Sequence, residues 1–236
     1  MIDIKKTKVF ADGADIETFK SLNNDNMIEG FTTNPTLMKS AGVKDYKKFA
    51  LDLLEIVKVK EISFEVFADD LYEMEDQARE ISSWAKNVAI KIPISNTKGE
   101  STYKVVSNLT KDKIKCNVTA VFTKDQWIKI KNNIDIDSNL IISIFAGRIA
   151  DTGIDPVPLM QEAVISFNNY KNVEILWASP REVLNYYQAQ DIGCHIITMP
   201  NNLIQKLKLY NKNLSDYSLE TVKMFYNDAV KSGYKI

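Results

Sequence analysis

Val88-Ala89-Ile90-Lys91-Ile92-Pro93 reads as a short, fully buried strand that carries one lysine. An ammonium group in such a run is costly unless it is paired or has shed its proton. Lysines of this kind attack carbonyl carbons and form Schiff bases. At least five other strand-like runs in the chain also end in a polar residue. Lys91 therefore reads as the centre of a site assembled from several strand ends.

Outward from Lys91, apolar runs alternate with helix-length stretches. The strand candidates are Lys8–Asp12, Ile28–Thr33, Ile62–Ala68, Val88–Pro93, Cys116–Phe122, Leu140–Phe145, Glu174–Ser179 and Cys194–Met199. Runs separated in this way favour a parallel sheet, and eight is the number that closes a (β/α)8 TIM barrel. The expectation is an α/β chain, one barrel domain over residues 1–236, with a helical tail from about residue 201. A doubly wound open sheet is the rival, but it usually carries a Gly-rich loop after its first strand. Here that place holds Ala11-Asp12-Gly13-Ala14-Asp15.

Local punctuation agrees with the alternation. Asp70 with Glu73 predicts a capping box opening a helix through Ala85. Asn34-Pro35, Asp155-Pro156 and Ser179-Pro180 each predict a capping side chain before proline at a first helical position. Leu159–Phe167, Val183–Ile192 and Ser218–Val230 carry helical spacing.

Composition sets limits on function. With 236 residues, 45% apolar and 26% charged, the chain suits an ordinary globular core. A net charge of -1 predicts no nucleic-acid and no membrane partner. No secretory pattern opens the chain and no run approaches membrane-spanning length, so a cytoplasmic location is expected. The two cysteines, Cys116 and Cys194, sit in apolar runs and read as buried free thiols. The single histidine, His195, lies inside the eighth run and reads as structural, which argues against histidine triads and His-rich metal sites. Only Arg79, Arg148 and Arg181 are arginines among 30 basic residues. Arg79 belongs to a charged helical stretch. Arg148 and Arg181 directly follow strand-like runs, where a guanidinium fork suits a phosphate.

Alternate residues of a strand face opposite ways. Val88, Ile90 and Ile92 thus oppose Ala89, Lys91 and Pro93; Ile62, Phe64 and Val66 oppose Ser63, Glu65 and Phe67. Val118, Ala120 and Phe122 oppose Asn117, Thr119 and Val121. Ile142 and Ile144 oppose Ser143 and Phe145; Leu176 and Ala178 oppose Trp177 and Ser179. One face suits packing against helices, and the other carries a polar group near the strand's C-terminal end, with Trp177 as barrel packing. Barrel enzymes build their sites at that end. Asp12, Asn34, Glu65, Lys91, Thr119 and Ser143 are expected to converge there.

These residues carry a family resemblance. Gly30-Phe31-Thr32-Thr33-Asn34-Pro35-Thr36-Leu37 resembles the TTNP signature of transaldolases. Val88–Pro93 is similar to the family's Schiff-base lysine strand, and Asn117-Val118-Thr119-Ala120-Val121-Phe122-Thr123 to its NVT strand. Phe145-Ala146-Gly147-Arg148-Ile149 resembles the segment after its sixth strand. Order and spacing hold from about Val9 to Pro200, and the length is similar to the short subfamily that includes fructose-6-phosphate aldolases. The resemblance implies a barrel, a homo-oligomer, sugar-phosphate substrates, and no metal or organic cofactor. It implies Lys91 as the imine-forming lysine, Asp12 as acid/base, and Glu65 with Thr119 as the pair that orients a water. Thr32, Asn34, Asn117, Ser143 and Phe145 would contact the substrate, with Ser179, Arg148 and Arg181 on its phosphate. Aldolases of the subfamily typically have glutamine and tyrosine where this chain has Glu65 and Phe145, which resembles the transferase pattern. The loop Ser95–Glu100 and the sequence Ser179-Pro180-Arg181 depart from the family's usual forms. Release of free dihydroxyacetone and non-catalytic sugar-phosphate binding are the competing expectations.

Overall fold

Among the described residues every strand is parallel to its neighbours and pairs with the strands before and after it in sequence. In the computed structural model, which describes residues 7–236, they are β1 (Lys8–Asp12), β2 (Ile28–Thr32), β3 (Glu61–Glu65), β4 (Val88–Pro93), β5 (Cys116–Val121), β6 (Leu140–Ile144), β7 (Val173–Trp177) and β8 (Ile196–Pro200). β1 pairs with β8, so the sheet closes on itself and the fold is a (β/α)8 barrel. Parallel neighbours require a crossover, and helices provide it between successive strands. Outward-facing strand residues pack beneath those helices, as the Phe31 ring does against Phe19 at 4.8 Å.

The interior is layered by strand parity, as barrel closure demands. The lowest layer comes from the odd strands and their leading edges: Lys8, Glu61, Lys115 and Glu174. Lys115 bridges Glu61 at 2.5 Å and Glu174 at 3.2 Å, and Lys8 meets Glu174 at 2.6 Å. Above it, Phe10, Ile141, Leu176, Ala178 and Ile196 form an apolar cluster. The Phe10 ring lies where a side chain on Gly30 would stand, so β2 needs glycine at that point. Asn117 completes this level, donating to Ser63 at 3.0 Å and accepting from Ser143 at 2.7 Å. The top layers are Thr32, Lys91, Ser143 and Thr198 from even strands, then Asp12, Glu65 and Thr119 from odd ones, and Ala178 reaches from the apolar cluster to the same cavity.

Several local expectations change. β3 leaves the sheet at Glu65, three residues before Ala68, and Phe67 is exposed. The faces of β7 are the reverse of those expected: Ser143 pairs in register with Leu176, which puts Leu176 and Ala178 inside and Trp177 outside. His195 precedes β8, and its Nδ1 accepts the Ile175 amide at 3.0 Å, bridging β7 to β8. The helix that Asp70 caps ends at Ser82, and Asp70 accepts the Tyr72 and Glu73 amides. Ser179-Pro180 starts no helix; Ser179 has φ 58°, and the next helix begins at Leu184.

The short helix Asn201–Ile204 belongs to the barrel unit, which ends at Ile204. A second unit, Gln205–Ile236, consists of a 3-10 turn at Leu207–Leu209 and the helix Leu214–Ser232, capped by Asn213. No helix among the described residues is long and apolar enough to cross a membrane.

Candidate active site

The C-terminal ends of the strands surround a cavity of about 430 Å³. Lys91 is buried in it: its side chain is 9% exposed, and its ammonium lies 3.1 Å from Glu65 Oε2. It also donates to the Thr33 carbonyl at 3.2 Å. Each contact offsets part of the cost of burying an ammonium. Glu65 comes from the adjacent strand, in register with Lys91. Its backbone carbonyl accepts the Tyr46 hydroxyl at 2.6 Å, and Tyr46 packs edge-on against Phe64 and Phe67. An aromatic group thus holds the end of β3 where the carboxylate leaves it.

Asp12 faces the same cavity from β1. Burial pushes its carboxyl above the ordinary aspartate range, while the charge of Lys91 and a hydrogen bond from Thr32 work the other way. That combination makes a carboxyl able to both accept and return a proton. Thr119 lines the cavity with its hydroxyl buried and without a protein partner among the described residues. A hydroxyl so placed is available to a substrate or a water molecule.

The rim is built differently. Asn34 lines the cavity and caps the helix Pro35–Ser40, accepting the Leu37 amide at 2.9 Å. Phe122, Phe145 and Arg148 form a stack: the two rings are 5.6 Å apart, and the guanidinium lies 5.6 Å from the Phe145 centroid. Phe122 was expected to face the helices. Ala120 has φ 58° and the β5–β6 register slips there, which breaks the alternation and turns Phe122 into the cavity. Ser179 reaches the rim through its own left-handed backbone. Gly147 packs against it so closely that a Cβ would lie 1.5 Å from the Ser179 carbonyl oxygen.

Larger crevices, of about 990 and 770 Å³, flank Lys115 at the opposite end. The charges there, Lys8, Glu61, Lys115 and Glu174, neutralise one another. Cys116 and Cys194 are free and buried, and burial pushes both thiols up to about 12, far from reactive thiolates. Among the described residues, no group of His, Cys, Asp and Glu side chains is arranged to hold a metal ion.

The sequence profile of the family described as Transaldolase/Fructose-6-phosphate aldolase matches residues 9–236. The chain belongs to this family. It is 33% identical over 230 residues to a probable transaldolase of Thermoanaerobacter sp. (strain X514), covering 97% of this chain and 100% of that one. It is 33% identical over 216 residues to a probable transaldolase of Streptococcus agalactiae, covering 91% and 94%. Among solved structures, orotidine 5'-monophosphate decarboxylase from Metallosphaera sedula matches with a TM-score of 0.53 at 10% identity, over 84% of this chain and 90% of that one. That likeness concerns the fold.

In this transaldolase-family barrel, Asp12, Thr32, Asn34, Glu65, Lys91, Thr119, Ser143, Phe145, Arg148 and Ser179 line one cavity. Two expected substrate contacts lie elsewhere. The Asn117 amide is spent on Ser63 and Ser143 one layer down, so it positions Ser143. Arg181 points away: the turn at Ser179-Pro180 carries it to Asp151, at the end of the helix Ala146–Ala150, where the two form a bidentate ion pair. Thr198 and Phe122 line the cavity without having been singled out. Thr198 was legible by counting in twos from the inward Ile196. Phe122 was not, because Ala120 breaks the count.

Proposed function

We propose that the protein is a transaldolase that moves a three-carbon dihydroxyacetone unit from a ketose phosphate to an aldose phosphate. Sedoheptulose 7-phosphate with glyceraldehyde 3-phosphate, giving erythrose 4-phosphate and fructose 6-phosphate, is the proposed exchange, in the pentose phosphate pathway of the cytoplasm. The observation that carries the reading is the buried Lys91–Glu65 pair, which shares a cavity with Asp12, whose carboxyl burial pushes above the ordinary aspartate range.

In this reading Lys91 Nζ attacks the ketone carbon, and loss of water gives a protonated imine. That imine is the electron sink into which the neighbouring carbon–carbon bond breaks. Asp12 takes the proton of the hydroxyl on the departing carbon and returns it to the oxygen of the incoming aldehyde. Glu65 and Thr119 orient the water that forms and hydrolyses the imine. Asn34, Thr32 and Ser143 hold the hydroxyls of the bound unit, and Arg148 with Ser179 takes the phosphate at the rim. The apolar residues exposed on the helix Leu214–Ser232, such as Val222 and Phe225, fit a homo-oligomer, to be read by light scattering.

Borohydride trapping tests the chemistry. Protein incubated with fructose 6-phosphate and reduced should carry a three-carbon adduct on Lys91, located by peptide mass spectrometry. A wild-type protein that folds but gives no adduct overturns the reading in favour of a binder. The rival is an aldolase that releases dihydroxyacetone. Glu65 and Phe145 disfavour it, and steady release without an acceptor would establish it.

A further inference from the structure

Asp12 is held by Thr32, and Thr32 is held in turn by a residue of the last strand. Thr32 Oγ1 lies 2.8 Å from Asp12 Oδ1 and within hydrogen-bond reach of Thr198 Oγ1. Both hydroxyls are buried, with Thr32 and Thr198 at 2% and 6% exposure. A hydroxyl has one proton and therefore donates once. An ionised Asp12 only accepts, so the Thr32 proton points to Oδ1. The contact between the two threonines must then be donated by Thr198.

We propose that Thr198 is a positioning residue for the acid/base carboxylate, orienting the Thr32 hydroxyl so that it supports Asp12 in its charged form. When Asp12 gains a proton on Oδ1 it becomes a donor. Thr32 then turns to donate to Thr198, and the Thr198 proton turns toward the cavity that it lines. Each threonine oxygen keeps its own hydrogen throughout; only the direction of donation reverses. The chain of hydroxyls thus follows the protonation state of Asp12 through both half-reactions.

The other charged side chains of the cavity are Glu65 from β3, Lys91 from β4 and Arg148 from the helix after β6. Lys91 is paired with Glu65, and Arg148 lies against Phe145. Thr198 is thus a neutral lever on Asp12 that leaves these charges in place. Burial already drives the Asp12 carboxyl up against Lys91 and Thr32. Removing the Thr198 donor weakens one of the two opposing influences, so the Asp12 midpoint rises further.

The inference rests on the transaldolase reading only for its kinetic consequence; titration of Asp12 tests it without turnover. Protein labelled with carboxyl-13C aspartate is titrated by NMR, with Asp12→Asn to assign the resonance. Thr198→Val should raise the midpoint, and Thr198→Ser should restore it. In the transfer assay Thr198→Val should lose about fivefold in kcat, the scale of one hydrogen bond, with little change in KM and the acid limb of the pH profile moved upward. Thr198→Ala removes the same hydroxyl without adding bulk, and stands in where the valine variant does not fold. A wild-type midpoint and pH profile in either folded, hydroxyl-free variant overturns the proposal. A wild-type protein that traps no adduct overturns the transaldolase reading alone, and the Asp12 titration still decides the role of Thr198.

Discussion

The Lys91 ammonium lies 3.1 Å from a Glu65 oxygen and 3.2 Å from the Thr33 carbonyl, in a cavity whose other carboxyl, Asp12, is pushed up by burial. The raised Asp12 value has a consequence for stability. A folded chain that holds this proton more tightly than the unfolded chain is favoured below the ordinary aspartate value, about 3.9. That contribution is lost as pH rises toward the folded value. Asp12→Asn has no charge to bury, so its stability should gain on the wild type as pH rises through that window and match it below. Urea melts across pH 3 to 8 measure this, while transfer activity in the same variant should fall at least about 100-fold, as for a lost acid/base group. The two arginines should separate cleanly. Arg148→Gln should raise KM for a phosphorylated donor about tenfold, the scale of a charge-assisted hydrogen bond. Arg181→Gln gives up only the exposed pair with Asp151, and should leave KM within about threefold. A larger effect at Arg181 would mean that it swings from Asp151 to the substrate.

Strand ends and the turns after them decide what reaches the cavity. Within regular strand, counting in twos is reliable: Glu65, Lys91, Thr119 and Ser143 all face inward as the alternation predicts. It fails where the backbone turns left-handed, at Ala120 and Ser179, both with φ 58°. Neither is glycine, so nothing in the composition marks those turns. In β7 the alternation holds but its sense is reversed, because the barrel's register, rather than the polarity of the run, chooses the inward face. Gly147 is the close-packing point of the rim, because it lets the helix carrying Arg148 lie on the Ser179 backbone and donate its amide to the Ala178 carbonyl at 3.2 Å. Gly147→Ala must force these segments apart. It should destabilise by about 3 kcal/mol, in the range of overpacked cores, and raise KM for phosphorylated sugars. A variant with wild-type melting and KM would mean that the rim relaxes without loss.

At the scale of the whole barrel, one end opens into the Lys91 cavity and the other carries a cluster of paired charges. Lys115 sits between Glu61 and Glu174 where barrels more often stack branched apolar side chains. Burial pushes the Glu174 carboxyl up, but Lys115 and Lys8 outweigh it and hold it below the ordinary range. The stability from that pairing is present above the unfolded carboxylate value and is lost as pH falls through the folded one. Lys115→Met takes away the Glu61 partner and leaves Glu174 with Lys8 alone, and should cost about 3 kcal/mol near pH 7. The deficit should shrink toward pH 4 as the carboxylates protonate, which denaturant melts at the two pH values would show. A deficit independent of pH would mean that packing, not charge, sets the cost.

The order of apolar runs and helical stretches was enough to specify the barrel, because parallel strands with helical crossovers have few ways to close. The same order placed Lys91, Glu65 and Asp12 at strand ends, since side-chain alternation is a local property. The sequence could not specify which side chains meet across the barrel. Arg181 is drawn to Asp151, Asn117 is spent beneath the cavity, and Thr198 is linked to Asp12 through Thr32. Each of these pairings joins residues far apart in the chain, and only closure of the sheet brings them within hydrogen-bond reach.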